Sequence, residues 1–220
     1  MTSEQRSVQE ERTESRWPPA LATVTAVLLY LTLPPHLTLG PVWLMPALVV
    51  VLLVPLVFLG PVRPKEAPVR RSVGILLIAI VNAANIASLV LLVHTLLTPG
   101  NKENGWGLLV SASAIWITNI LVFGLWYWEL DRGGPQQRLL AHKRDADFMF
   151  SQMIAPSCAP IGWLPSFADY LYVAFTNATA FSPTDTMPLS TMAKTLMTIE
   201  ALISLLTVLL VAARAVNILA

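Results

Sequence analysis

The sequence predicts an all-α integral membrane bundle of about six membrane segments, and three observations carry that prediction. Of 220 residues, 55% are hydrophobic and 12% charged, more apolar sequence than a soluble core of this size needs. Several apolar runs reach the roughly 20 residues that cross the hydrocarbon as a helix, whose backbone groups satisfy one another where lipid offers no partner. The basic residues, finally, alternate between loops: Arg63, Lys65, Arg70 and Arg71 in one, Lys102 alone in the next, then Arg132, Arg138, Lys143 and Arg144. The positive-inside rule places the basic loops in the cytoplasm.

Residues 1–16 carry mixed charge and almost nothing apolar, which reads as a disordered cytoplasmic tail; 17–220 form one transmembrane domain. The tail lacks the positive bias of a secretory leader, and no small-x-small site closes the run behind it, so 19–33 is a retained first helix. Trp17 sits at its headgroup level. Pro34-Pro35-His36 and Gly40-Pro41 bracket a turn into a second helix at 42–59, kinked by Pro46 and Pro55. The third helix, 72–97, holds no charge, and its polar residues Asn82, Asn85 and Ser88 recur every three positions, on one face. That face predicts hydrogen bonding to a neighbouring helix or the lining of a hydrophilic path.

The fourth helix, 106–130, is flanked by Trp106 and by Trp126, Tyr127 and Trp128, read as rings at the two interfaces. Asn119 lies mid-span, with the asparagine face of the third helix as its expected partner. Glu129, Asp131 and Arg132 then mark water, and Gly133-Gly134-Pro135 stops the helix. From Gln136 to Pro165 the chain is first mixed in charge, with His142, Asp145 and Asp147 on a solvated face. It is then broken by Pro156, Pro160 and Pro165, as chain packed on the membrane surface or the protein.

The fifth segment, 166–181, has 16 residues, about 24 Å as a helix against roughly 30 Å of hydrocarbon, so it spans only with help or re-enters. The last helix, 190–217, carries a Thr191, Thr195, Thr198 stripe suited to packing, Lys194 in its outer turns, and Glu200 near mid-membrane. A charge there costs on the order of 3 kcal/mol on insertion scales, so such a residue faces a cavity, finds a partner or keeps its proton. If every segment crosses, the last helix returns inward, with Arg214 and both termini cytoplasmic.

Other classes find no residues to support them. Cys158 is alone, and His36, His94 and His142 are scattered, so neither a disulfide within the chain nor a metal site is expected, and no cofactor. No nucleophile elbow, paired histidine and carboxylate motif or phosphate loop is present, which argues against an enzyme. The basic residues are too few, and too close to helix ends, for nucleic acid. The expected partners are the lipid bilayer, inorganic cations and further copies of the chain.

Thr179, then Asp185, Pro188 and Ser190 ahead of a long apolar helix, resemble the pore loop of tetrameric potassium channels, over about 50 residues. The resemblance implies a short pore helix aimed at an ion. Where that family has its five filter residues, this sequence has Ala180, Phe181, Ser182, Pro183 and Thr184, so the filter is not retained. The chain also looks like a group of uncharacterised multi-pass bacterial membrane proteins carrying W-E-L-D-x-G-G-P (Trp128 to Pro135) and F-T-N-A-T-A-F-S-P-T-D (Phe175 to Asp185). That likeness implies a plasma membrane location rather than an activity.

The functional expectation is a pore-loop-like ion permeation protein with a non-standard filter. Its ion-interacting residues are Thr176, Asn177, Thr179, Ser182, Thr184, Asp185 and Glu200, with Asn82, Asn85 and Asn119 holding helices together. The alternatives are a cation- or proton-coupled small-solute transporter, for which Glu200 must titrate, and a non-conducting accessory or scaffold protein, in which Asp185 or Ser190 merely caps the last helix.

Overall fold

A computed structural model describes residues 16–58, 67–98, 105–139, 145–180, 182 and 185–219. Apart from one two-residue strand pair, the regular elements among them are helical, which gives the all-α class. Helix α1 (Trp17–Leu31) opens on prolines, tolerated there because the first turn's N–H groups have no partner within the helix. A 3-10 turn at Pro35–Leu37 leads to α2 (Leu44–Phe58). Helix α3 (Ala67–Leu97) begins five residues before the apolar run and takes in Arg70 and Arg71. A helix needs its charges outside the hydrocarbon, not outside itself, and Arg70 reaches back to donate to the Leu56 carbonyl.

Helix α4 (Gly105–Leu130) is the hub, packing on α1, α3, α7 and α8. It ends in a 3-10 turn, Asp131–Gly133, beyond which come α5 (Pro135–Leu139), strand β1 (Phe148–Met149), α6 (Ser151–Ile154) and α7 (Phe167–Ala180). Strand β2 (Met187–Pro188) pairs antiparallel with β1, and α8 (Thr191–Leu219) follows. Both late helices start on side-chain caps. Asp169 accepts from the Ser166 N–H at 2.7 Å. Ser190 accepts from the Ala193 N–H at 3.1 Å, so Ser190 is the cap of α8.

Contacts fix the directions. Phe167 stacks edge-on to Trp128, and a Cβ on Gly124 would stand 3.2 Å from the Leu171 backbone. Helix α7 therefore starts at the C-terminal end of α4 and runs antiparallel to it, the missing side chain at Gly124 allowing the close approach. Helix α8 also starts at that end, because β2 just before it pairs with Phe148, which stacks against Tyr127 at 5.0 Å. From there Glu200 meets Tyr127 and Ser204 meets Asn119, so α8 too is antiparallel to α4.

Both α7 and α8 thus leave from one end of the bundle. This corrects the expectation that the fifth segment leads across and the last helix returns: α8 carries the chain away from the basic end, with Arg214 towards the other. Thr186 to Leu189 lie again where α7 begins, Leu189 donating to the Asp147 carbonyl at 2.8 Å. Fourteen residues in α7 make about 21 Å of helix, which does not cross the hydrocarbon.

By length and composition three helices can cross a membrane, 68–97, 105–133 and 191–213, compatible with the predicted membrane class. The 15 residues of α1 and of α2 make about 22 Å each and fall short of that length. Predicted features in the tail, in the loop around Arg63 and Lys65, at Lys102, and at His142, Lys143 and Arg144 lie outside the described residues.

Candidate functional site

Glu200 stands ten positions into α8 with no exposure to solvent. Its Oε2 accepts from the Tyr127 hydroxyl at 2.5 Å and from the Asn177 amide at 2.6 Å. Asn177 also donates to the Met197 carbonyl at 2.9 Å. The Asn119 amide donates to the Glu200 carbonyl at 3.3 Å and to the Ser204 hydroxyl at 3.0 Å. Helical period explains the convergence. Asn119 and Tyr127 are eight apart on α4, Tyr170 and Asn177 seven apart on α7, and Glu200, Ser204 and Thr207 follow at four and three on α8. Glu200, Ser204 and Thr207 are all buried.

Two oxygens in this cluster have no hydrogen-bond partner: Oε1 of Glu200 and Oδ1 of Asn119, both buried. The Asn119 oxygen is always an acceptor, and the Glu200 oxygen is one when the carboxylate is ionised. Among the described residues no cationic side chain pairs with Glu200, and in low dielectric an uncompensated carboxylate is costly. A proton on the carboxylate, or a small cation beside it, supplies what the cluster lacks.

A second polar knot sits at the end of α4. Asp131, fully buried, accepts from the Asp147 N–H at 2.8 Å and from the Tyr170 hydroxyl at 2.5 Å. Its Oδ2 lies 3.8 Å from Arg132. Arg138 donates to the Trp128 carbonyl at 2.6 Å and lies 5.0 Å from the Tyr170 ring centre. Asp147 accepts from the Arg132 N–H at 3.0 Å, which ties the incoming strand to the turn. The turn itself has Arg132 at φ 53° and Gly134 at φ 100°, and a Cβ on Gly134 would stand 2.9 Å from the Glu129 carbonyl oxygen.

Two tyrosine–carboxylate pairs therefore occupy neighbouring depths, Tyr127 with Glu200 and Tyr170 with Asp131. Phe148 lies between them, 5.0 Å from the Tyr127 ring and 6.2 Å from that of Tyr170. Tyr127 in the last turn of α4 and Asp131 in the 3-10 turn that follows it, four residues on, supply one member of each pair.

Of the residues proposed from the sequence, Asn177, Glu200 and Asn119 are brought together. Thr176 donates to the Tyr172 carbonyl at 3.0 Å, and Thr179 to that of Phe175 at 2.8 Å, so both hydroxyls are engaged within α7. Ser182 and Asp185 are exposed, while Phe181, Pro183 and Thr184 lie outside the described residues. Asn82 and Asn85 remain on α3, Asn85 buried with its amide nitrogen unpartnered. Asn119 does not bond to that asparagine face; it donates to Glu200 and Ser204 of α8 instead.

Four other readings change. Tyr127 is no interfacial ring but a fully buried hydroxyl donor, and Glu129 and Asp131, expected in water, are buried. Asp147, read as part of a solvated face, holds the α4 turn. The Thr191, Thr195, Thr198 stripe is exposed rather than packed. Tyr127, Tyr170, Asp131, Arg138 and Phe148 were missed as site residues. The one signal for them was spacing, Tyr127 and Asp131 at four and Tyr170 and Asn177 at seven, and it becomes informative only once the neighbouring helices are known. Among the described residues no group of three or more His, Cys, Asp and Glu side chains comes together to hold a metal ion. No protein family, curated protein or solved structure matches the chain.

Proposed function

We propose that this is a multi-pass protein of the bacterial plasma membrane that moves protons or monovalent cations through the Glu200 centre. The observation that carries the reading is the pair of buried oxygens, Glu200 Oε1 and Asn119 Oδ1, with nothing to accept from. What separates Glu200 from the other buried polar groups is that it is an acid: an ionised carboxylate away from water is costly, and a proton or cation at Oε1 removes that cost and can leave again. Tyr127 and Asn177 hold the other carboxylate oxygen and orient the vacant one. The bacterial and plasma membrane assignments rest on the resemblance of the W-E-L-D-x-G-G-P and F-T-N-A-T-A-F-S-P-T-D segments. In this reading the end bearing Arg16, Arg70, Arg71, Arg132 and Arg138 faces the cytoplasm, with the C-terminus opposite.

A pore-loop permeation protein is the second reading, favoured by one observation: α7 and α8 start from the same end of α4, with a short helix, a turn and a long helix in order. That is the outline of a re-entrant unit. Its short helix sets out from the basic end, the reverse of a potassium channel, and an ion path there would use Asn177, Asp185 and Glu200.

Ion flux into liposomes holding the purified protein tests both. Under imposed proton, sodium and potassium gradients, Glu200→Gln is expected to abolish flux, because the amide can neither release a proton nor balance a cation. Asp185→Asn, which acts at the exposed loop, alters flux only if ions pass that loop. A folded wild-type protein that carries no flux in any gradient would make Glu200 a packing residue of a scaffold protein.

A further inference from the structure

Two cavities share walls at the basic end of the bundle, and Glu200 lines neither. The larger, about 360 Å³, lies between the starts of α1 and α3 and the turn after α4, with Arg16, Arg71, Ser72, Gln136 and Gln137 on its walls. That volume falls within the roughly 300–1,000 Å³ of small-ligand sites. The smaller, about 50 Å³, is an apolar groove between α1, α2, α3 and α4, walled by Ala20, Leu53, Leu56, Leu77 and Leu125. Arg16 borders both, so the polar chamber lies beside the apolar groove.

The chamber has cationic donors left over. Glu129 also borders it but is engaged within the protein, so the acid is not what a ligand meets. The Nε of Arg71, by contrast, is buried with no hydrogen-bond partner. A buried donor without an acceptor is costly, and an incoming oxyanion relieves that cost. Gly134 lines the chamber, and a Cβ there would stand 3.6 Å from this Nε, so the missing side chain leaves the approach open. Arg16, just before α1, is close enough to Arg70 for the two guanidiniums to repel each other. Like charge thus gathers at this corner from two helix starts, and a bound anion offsets it.

We propose that the chamber binds the phosphate group of an anionic phospholipid, of the phosphatidylglycerol kind. The phosphate lies between Arg16 and Arg71, whose guanidinium donors match its oxygens, and the first methylenes of one acyl chain lie in the groove. Charge decides the headgroup: an ammonium would add a cation beside two guanidiniums with Glu129 already engaged, whereas a glycerol adds none and finds amide partners in Gln136 and Gln137. The groove decides the source, since a free phosphate would leave it empty. Location agrees, because basic pockets between helix ends at the membrane surface meet anionic headgroups. The site requires that the chain lie in a membrane and is independent of ion movement at Glu200.

Native mass spectrometry on the full chain, delipidated in detergent, tests this. Phosphatidylglycerol, phosphatidylcholine with the same acyl chains, and inorganic phosphate are added at equal concentration. The glycerol lipid is expected to be retained over the choline lipid by about tenfold, the scale of one charge-assisted hydrogen bond, and inorganic phosphate to be held more weakly than the glycerol lipid. Arg71→Gln should lower retention of the glycerol lipid about tenfold, because a neutral amide leaves the phosphate a single guanidinium. Gln136→Glu, at an exposed position on the rim, should lower it several-fold by repelling the phosphate, and reads the site even where Arg71→Gln does not fold. Choline lipid held as tightly, retention untouched by Arg71→Gln in folded protein, or retention indifferent to Gln136→Glu would each overturn the proposal. Inorganic phosphate held as well as the glycerol lipid would overturn the lipid source and make the chamber a site for a free anion.

Discussion

The bond between Tyr127 and Glu200 can be weighed by a double-mutant cycle of Tyr127→Phe, Glu200→Gln and the two together. The phenol donates at 2.5 Å to a carboxyl oxygen, and both side chains are fully buried. Loss of the hydroxyl leaves Asn177 as that oxygen's one remaining side-chain donor and opens no cavity beyond a single oxygen. Hydrogen bonds to charged groups in soluble proteins contribute about 1.5–3 kcal/mol. Cycles within membranes average about 0.6 and reach about 1.7, because the reference state also finds partners. With no solvent at either group, a coupling near the upper membrane value is expected, about 1–2 kcal/mol. For a chain of this length that is roughly 2–8 °C in Tm. Thermal unfolding of the detergent-solubilised protein, followed by tryptophan fluorescence, reads it. A coupling below about 0.5 kcal/mol would show that the pair does not hold α4 to α8, and the account of Glu200 as an oriented carboxyl would fail with it.

Further predictions follow the same packing. Gly134→Ala should lose at least about 2 kcal/mol, since φ 100° and a contact of 2.9 Å to the Glu129 carbonyl oxygen both oppose a side chain. Gly74→Ala, whose Cβ would meet Glu129 at an ordinary 3.9 Å within α3, should be neutral or gain up to about 1 kcal/mol from helix propensity; the two Tm values together check the geometry of the Glu129 wall. Arg138→Lys should destabilise by about 2 kcal/mol despite keeping the charge, because an ammonium cannot both reach the Trp128 carbonyl and lie flat on the Tyr170 ring; equal Tm values would refute this. In sealed vesicles an impermeant maleimide should label Cys158, or a cysteine from Ala213→Cys in a Cys158→Ser background, but not both from one side. Labelling of both from one side would restore the returning last helix.

Much of the helical arrangement is written in the chain's local chemistry. Charge-free runs, the prolines at Pro18 and Pro19 and the Gly133-Gly134-Pro135 stop bear on where helices start and end without reference to any neighbour. Glu200 stood out for the same reason, as one acid within an apolar run. Its partners did not. A tyrosine flanked by two tryptophans reads as an interfacial ring, and nothing local says that Tyr127 points inward to an acid 73 positions later. Direction was hidden too. Alternating basic loops assume that each apolar run crosses, and the count fails at α7, which is too short to do so, so that α8 was given the wrong sense relative to α4.

The sequence by itself determined the all-α class, the approximate ends of its long helices and the presence of a costly acid among apolar residues, because these follow from hydrophobic length and backbone chemistry. Tertiary structure alone decided that Asn119, Tyr127 and Asn177 converge on that acid, that Phe148 separates the Glu200 and Asp131 pairs, and that α7 and α8 leave from one end. Those depend on which helix faces meet and on a two-residue strand pairing across 38 positions of chain, from Met149 to Met187. Helical period limits such choices to a face, and packing against α4 selects among them.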